Sequence, residues 1–197
     1  MTDTMVGFGY KQAWLAIRDG EAAAVLEALG LHDLGEVPWR SGVDLAYLTD
    51  DRLVVTPALP GTTDPSTRWL LVAGRWFLRP DAKVDITALS ATLGTEVQFF
   101  LSYRGTELHR WERAVDGIGV RRFVYLGESG EVLDWVGDPD ATERALGLPE
   151  VLDVDDEEQD VLIGEHDVAR VAAAWSVDPT ALDGRPAPGP LTAATAP

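Results

Sequence analysis

The chain has 197 residues, of which 46% are hydrophobic, and it contains seven tryptophans and no cysteine. Its formal net charge is −17, from 33 acidic and 16 basic side chains. This length and apolar content predict a folded protein with a substantial core. The lack of cysteine excludes disulfides, thiolate metal sites and a cysteine nucleophile. The negative charge disfavours binding to nucleic acid or to an anionic membrane.

The N-terminal region and the hydropathy pattern bear on localisation. Residues 1–10 have neither the basic start nor the apolar stretch of a signal peptide. No run approaches the roughly 20 apolar residues of a membrane-spanning helix. We therefore expect a cytoplasmic protein without a membrane segment.

The first third of the chain predicts one strand, one helix and a hairpin. Residues 11–17 form a short apolar run typical of a strand. Residues 21–29 carry apolar side chains at helical spacing, and Gly30 follows as the expected helix stop. Residues 45–48 and 53–56 are β-favouring runs separated by four polar residues, which predicts a second and a third strand.

A similar order of elements recurs further along. Residues 69–73 predict a strand, Asp85 is a candidate N-cap for a helix, and Gly94 is its predicted stop. Long strands follow on either side of Asp116-Gly117, a hairpin signal, and residues 131–135 predict one more strand.

These patterns predict an α+β fold. Residues 9–60 and 67–136 are predicted to be two β-α-β-β pseudo-repeats. Together they would form a mixed, largely antiparallel sheet with helices on a face.

Residues 1–148 are predicted to form the α+β domain. Residues 149–182 are predicted to hold an acidic segment and a C-terminal docking helix. Residues 183–197, rich in Pro, Ala, Gly and Thr, are predicted to be a disordered tail.

The most informative segment for function is the strand region from residue 99 to residue 113. Because alternate residues of a strand share a face, one face is predicted to carry aromatic, acidic and basic side chains together. Glu107 and His109 would lie about 6.5 to 7 Å apart, a spacing at which a carboxylate can orient an imidazole for acid/base chemistry. The predicted row is Tyr103, Glu107, His109, Trp111 and Arg113.

Basic residues also concentrate in this region, with five of the chain's 16 between Arg104 and Arg122. Three interpretations remain open: cross-strand ion pairing without a function, an anion or ligand site, and catalysis. Trp76 and Trp111 are the tryptophans predicted to be partly exposed and to act as binding hot spots. The candidate binding residues are Arg104, Glu107, His109, Trp111, Arg113, Arg121 and Trp76.

No motif indicates a metal or a cofactor. The three histidines lack metal-binding spacing. The acidic run at residues 153–160 lacks the central glycine of an EF-hand loop. Residues 127–131 predict a hairpin turn rather than a nucleophile elbow, because a strand and not a helix follows. We expect no cofactor and no metal.

Several of these motifs resemble a group of bacterial proteins common in actinomycetes, to which no activity is attached. The resemblance rests on Tyr10-Lys11, on the helix end at residues 28–30, on the strand from Phe99 through Trp111 and on the turn at residues 125–131. It spans most of residues 9–148. It implies a functional role for the same strand face.

Two main functional hypotheses follow. The first is a non-enzymatic, acidic protein-interaction module of toxin-immunity or inhibitor type, whose partner is a basic protein rather than nucleic acid or membrane. The alternative is a hydrolase-like enzyme that uses Glu107 and His109 as an acid/base pair, with Arg113 or Arg121 holding an anionic substrate. A purely structural accessory domain is a third hypothesis. A deep pocket at these side chains would favour the enzyme, and a flat face would favour the interaction module.

Overall fold

The computed structural model describes residues 3–151 and 162–196, and within them the chain forms one large sheet with helices packed on it. The strands are β1 Ala13–Arg18, β2 His32–Val37, β3 Arg52–Val55, β4 Leu59–Pro60, β5 Arg68–Ala73, β6 Glu96–Tyr103, β7 Leu108–Val115, β8 Ile118–Leu126, β9 Glu131–Val136 and β10 Leu191–Thr195. The helices are α1 Ala22–Leu29, α2 Trp39–Leu48, α3 Ile86–Leu93, α4 Ala141–Ala145 and α5 Glu165–Trp175. Two short 3₁₀ helices span Arg75–Leu78 and Pro179–Leu182.

The strand order across the sheet is β2-β10-β3-β5-β1-β6-β7-β8-β9, with β4 beside β5. Each of these pairings is antiparallel. The predicted α+β class is confirmed. β2 and β9 are the two edge strands, and β1 lies near the centre.

Helices cover both faces of the sheet, whereas the sequence predicts helices on one face. We call the side on which α1 and α3 pack the α3 face, and the side on which α2, α4 and α5 pack the α5 face. The cause lies in the central strands, because nearly every residue of β1, β5 and β6 is buried. Strands that are apolar on both sides require cover on both sides.

Short-range signals in the sequence predict element ends correctly. Gly30 and Gly94 end α1 and α3 in the left-handed region, with φ of 66° and 62°. The Asp85 carboxylate accepts hydrogen bonds from the backbone N–H groups of residues 87 and 88 at the start of α3. Asp140 and Glu143, three residues apart as in a capping-box sequence, form a capping box at the start of α4.

The predicted strand at residues 45–48 is wrong, because these residues form the end of α2. Trp39, Val43 and Ala46 lie at helical spacing and bury one side of this helix against the α5 face. α1 and α3 lie on the same face, as the internal repeat requires. The strand order does not repeat, because β1 and β2 are separated by three strands and β5 and β6 only by β1.

The predicted disordered tail is also wrong at its end, where β10 lies between β2 and β3. Leu191 and Ala194 are completely buried. The composition argument fails because small side chains fit between two covered faces, and the backbone of a central strand bonds to both neighbours. The acidic run at residues 153–160 falls outside the described residues.

Candidate functional site

The predicted strand face is only partly present. His109, Trp111 and Arg113 of β7 do share a face, opposite Ser102, Phe100 and Gln98 of β6, and this face is the α5 face. Tyr103 ends β6 on the opposite side. Glu107 precedes β7 in a tight turn, with φ of 53°. The prediction that alternate residues share a face fails at this turn, because residues in a turn do not point alternately to the two faces of the sheet.

Trp111 is fully buried, so it is not the exposed hot spot that the sequence predicts. Its ring stacks on Phe123 with centroids 4.4 Å apart. Its indole N–H donates to Glu143 Oε1 at 2.6 Å. Trp111 therefore joins the sheet to α4 from inside the core.

Arg121 takes part in the same buried network. Its Nε donates to Glu143 Oε1 at 2.8 Å, and its Nη1 donates to the backbone oxygens of Val136 and Gly137. The other oxygen of Glu143 accepts from the Asp140 N–H, and Asp140 accepts from the Trp175 indole at 2.6 Å. This chain of contacts links the sheet, α4 and α5, and its Arg121–Glu143 ion pair is buried.

His109 is almost completely buried, at 1% exposure. Its Nδ1 lies 3.3 Å from Ser102 Oγ, and its Nε2 lies 4.0 Å from Glu107 Oε2. A serine, an imidazole and a carboxylate thus lie in sequence, as in hydrolases. Ser102 is also 1% exposed, however, so a substrate cannot reach its hydroxyl.

Burial lowers the pKa of His109, and the negative charges of Glu107, Glu165 and Asp167 only partly oppose this. The folded protein therefore takes up this proton less readily than the unfolded chain. Below the ordinary histidine pKa of about 6.5, this difference destabilises the fold progressively until the folded pKa is reached. Well above pH 6.5 the imidazole is neutral in both the folded and the unfolded chain, so the lowered pKa does not change stability there.

We expect His109→Gln to flatten the fall in melting temperature as the pH is lowered from 7 towards 5. The glutamine keeps a polar group near Ser102 and removes the titration. Thermal unfolding of both proteins at intervals of half a pH unit measures the effect. Their curves should run parallel above pH 7, and parallel curves below pH 7 as well would contradict the assignment.

The predicted cluster of arginines is paired with carboxylates. Arg104 donates through Nε to Glu165 Oε2 at 2.7 Å, at the start of α5. Arg113 lies 2.6 Å from Glu96. On the opposite side of the sheet, Arg122 pairs with both Glu112 and Asp134, and Arg110 also pairs with Glu112.

These contacts match the ion-pairing interpretation more closely than an anion site. The cavity between Arg113, Arg121 and Glu112 has a volume of about 20 Å³. A space of that size holds about one water molecule and no substrate. Trp76, in the first 3₁₀ helix, is half-buried and packs edge to face on Phe77.

The structure shows two features that the sequence reading missed. One is a set of exposed apolar side chains on β8 and β9, which we call the hairpin patch: Ile118, Val120, Leu133 and Val136. The other is a cavity beside the buried amide of Gln12. Neither can be read from local spacing, since each depends on which strands and loops become neighbours.

The described residues contain no helix with the length and apolar character to span a membrane. Comparison of the chain with family models, curated proteins and solved structures found no match. The geometry and charge of this chain are therefore the evidence for its function.

Proposed function

We propose that the protein is a non-enzymatic interaction module that binds a basic protein through the hairpin patch. The observation that supports this most directly is the exposure of the patch. Its four apolar side chains are between 41% and 66% exposed. Exposed apolar side chains along an edge hairpin are a feature of surfaces that contact other proteins.

The free edge of the sheet adjoins the patch. Among residues 3–151 and 162–196, β8 is the one strand that pairs with β9, so the other side of β9 offers its backbone groups to a strand of a partner. The opposite edge, β2, is less suited to this. Its extended backbone is interrupted at Gly35, which has a φ of 91°.

Charge supports a basic partner. At least ten of the 16 basic side chains already lie within 4.0 Å of a carboxylate: Arg18, Arg52, Arg75, Arg79, Arg104, Arg110, Arg113, Arg121, Arg122 and Arg170. Since acidic residues outnumber basic ones by 33 to 16, many carboxylates have no basic side chain of this chain to pair with. Around the patch, exposed carboxylates without an ion pair among the described residues are Asp116, Glu128, Glu131 and Asp138.

The enzyme alternative has less support. His109 and Ser102 are buried, and the cavity beside Arg113 and Arg121 is too small for a substrate. A partner with apolar side chains flanked by Lys and Arg fits an apolar patch with acidic surroundings. Such a contact supports an inhibitor or an immunity protein equally well.

Leu133→Lys tests this proposal, with Leu34→Lys as the matched control. Both leucines are about half exposed on edge strands, at 49% and 53%, and both substitutions change the net charge equally. The tagged protein is used to capture partners from the source cells, and the captured protein is then purified and its binding kinetics measured. We expect a basic protein that binds the parent chain and Leu34→Lys, and that binds Leu133→Lys about tenfold more weakly or worse.

Varying the ionic strength distinguishes the electrostatic contribution to binding from the contribution of the apolar patch. Association should slow as salt is raised from 0.05 to about 0.5 M, because steering between opposite charges is screened. Equal binding of both variants would exclude the hairpin patch. A partner whose association rate ignores salt would exclude the electrostatic part of the proposal.

A further inference from the structure

A groove lies beside the edge strand β2, at the opposite edge of the sheet from the hairpin patch. Its volume is about 1020 Å³, at the upper end of the range for small-molecule sites. Three segments line it: residues 3–6, residues 36–40 at the junction of β2 and α2, and residues 183–190 ahead of β10. Small-molecule sites typically combine this size with an apolar lining and a few polar groups.

Hydrogen bonds between the three segments hold the groove in shape. The Ala187 N–H donates to the Asp3 backbone oxygen at 3.0 Å. The Asp3 carboxylate accepts the Trp39 backbone N–H at 2.8 Å, and the Trp39 indole donates to the Gly189 backbone oxygen at 2.8 Å. Each segment is thus bonded to the other two, so the groove is formed before any ligand binds.

The apolar part of the lining rests on the protein core. It consists of four side chains that pack against the core on one side and line the groove on the other: Met5, Val6, Val37 and Ala187. Met5 is 7% exposed, and the other three are half-buried. They offer an apolar ring or chain a surface to pack against.

The backbone that lines the groove is poor in free hydrogen-bond donors. Three of the lining residues are prolines, which have no N–H: Pro38, Pro188 and Pro190. Four other lining residues already donate their N–H groups within the chain: Thr4, Met5, Gly184 and Ala187. A ligand therefore meets mainly carbonyl and carboxylate oxygens, which are hydrogen-bond acceptors.

The charged side chains favour the same kind of ligand. Three carboxylates and one guanidinium line the groove, and all four residues are exposed to a ligand in it: Asp3, Glu36, Asp183 and Arg40. Asp3 and Glu36 lie near each other, because the Asp3 carboxylate is bonded to the N–H of Trp39, three residues after Glu36. Negative charge therefore exceeds positive charge along the lining, and a cation is attracted to it.

We propose that this groove binds a small organic cation, an amine or amidine attached to an apolar ring or chain. The cationic N–H groups donate to the carboxylates of Asp3 and Glu36, and the apolar part packs on Met5, Val37 and Ala187. The net charge of −17 also favours a cation over an anion. This site is independent of the proposed protein partner, because β2 and β9 lie at opposite edges of the sheet.

Benzamidine is the probe, with benzamide as a neutral control of nearly the same shape and benzoate as an anionic control. Binding to the ¹⁵N-labelled full chain is followed through the backbone amide signals of Thr4, Gly184 and Gly189, which line the groove. We expect benzamidine to shift these signals saturably, with an affinity about tenfold or more above that of either control. The reason is that only the amidinium combines a positive charge with several donors.

Two variants test the place of binding, each with a matched control. Ala187→Phe fills the groove and should abolish the shifts, whereas Ala24→Phe on the exposed side of α1 should leave them intact. Glu36→Gln removes one carboxylate and keeps its shape, so it should weaken benzamidine about threefold or more, whereas Glu131→Gln on β9 should not. Melting temperatures show that each variant is folded.

The proposal is overturned by any of three results. The first is groove signals that stay unmoved up to about 10 mM benzamidine, a concentration that detects millimolar affinity. The second is an equal affinity for benzamide or benzoate. The third is an unchanged titration in either Ala187→Phe or Glu36→Gln.

Discussion

A chain that ends at Pro190 is expected not to fold, although it lacks only seven residues. The deletion removes β10, which pairs with β2 on one side and β3 on the other. It also uncovers apolar surface that Leu191 and Ala194 bury on the two faces of the sheet. The stability of a domain is about 5 to 15 kcal/mol, and loss of two strand pairings with their buried side chains is comparable to this. Far-UV circular dichroism and thermal melting measure the result.

A chain that ends at Thr195 is the control for this deletion. It keeps the whole of β10 and loses the hydrogen bond from the Ala196 N–H to the Asp51 backbone oxygen. Such a bond is worth about 1 kcal/mol, so the melting temperature should fall by only a few degrees. If the chain ending at Pro190 melts cooperatively near the temperature of the full chain, β10 is misplaced and residues 183–197 are a tail after all.

The second large effect is expected from Glu143→Met, which removes the centre of the buried polar network. Arg121 would then hold a buried charge without its partner, and the Trp111 indole would lose its acceptor. Breaking a buried ion pair in this way costs about 3 to 5 kcal/mol. Urea unfolding followed by tryptophan fluorescence measures the change in the free energy of unfolding.

The double variant Arg121→Met with Glu143→Met tests the cause of this loss. Because it leaves no unpaired buried charge, it should be more stable than Glu143→Met alone. Arg170→Ala is a surface control, since the Arg170 side chain is 60% exposed, and it should change stability little. A double variant less stable than the single one would show that the packing of Arg121, rather than its charge, dominates.

The burial of this network also bears on the candidate site. Trp111 and His109 are predicted site residues because aromatic, acidic and basic side chains share a strand face, and Arg121 is one because arginines concentrate nearby. In the folded protein α4 and α5 cover that face, and its polar groups bond to those helices. The same residue pattern therefore fits a structural polar network and a binding surface, and only the covering helices distinguish the two.

The sequence by itself determined the features that depend on neighbouring residues. The glycine stops of α1 and α3, the Asp85 cap, the Asp140–Glu143 capping box and the turn at Asp116-Gly117 all depend on φ angles or hydrogen bonds within a few residues. The α+β class follows from the alternation of such elements. These features can be predicted from the sequence because the interactions that stabilise them join residues close together in the chain.

The tertiary structure alone decided which elements became neighbours. It turned residues 45–48 into a helix by burying Trp39, Val43 and Ala46 together, and it inserted the weakly apolar β10 between two strands distant in sequence. It also buried Trp111 and left Leu133 exposed, although both lie in β-favouring runs. Burial and strand pairing depend on contacts between residues far apart in the chain, and no local pattern encodes which of those contacts forms.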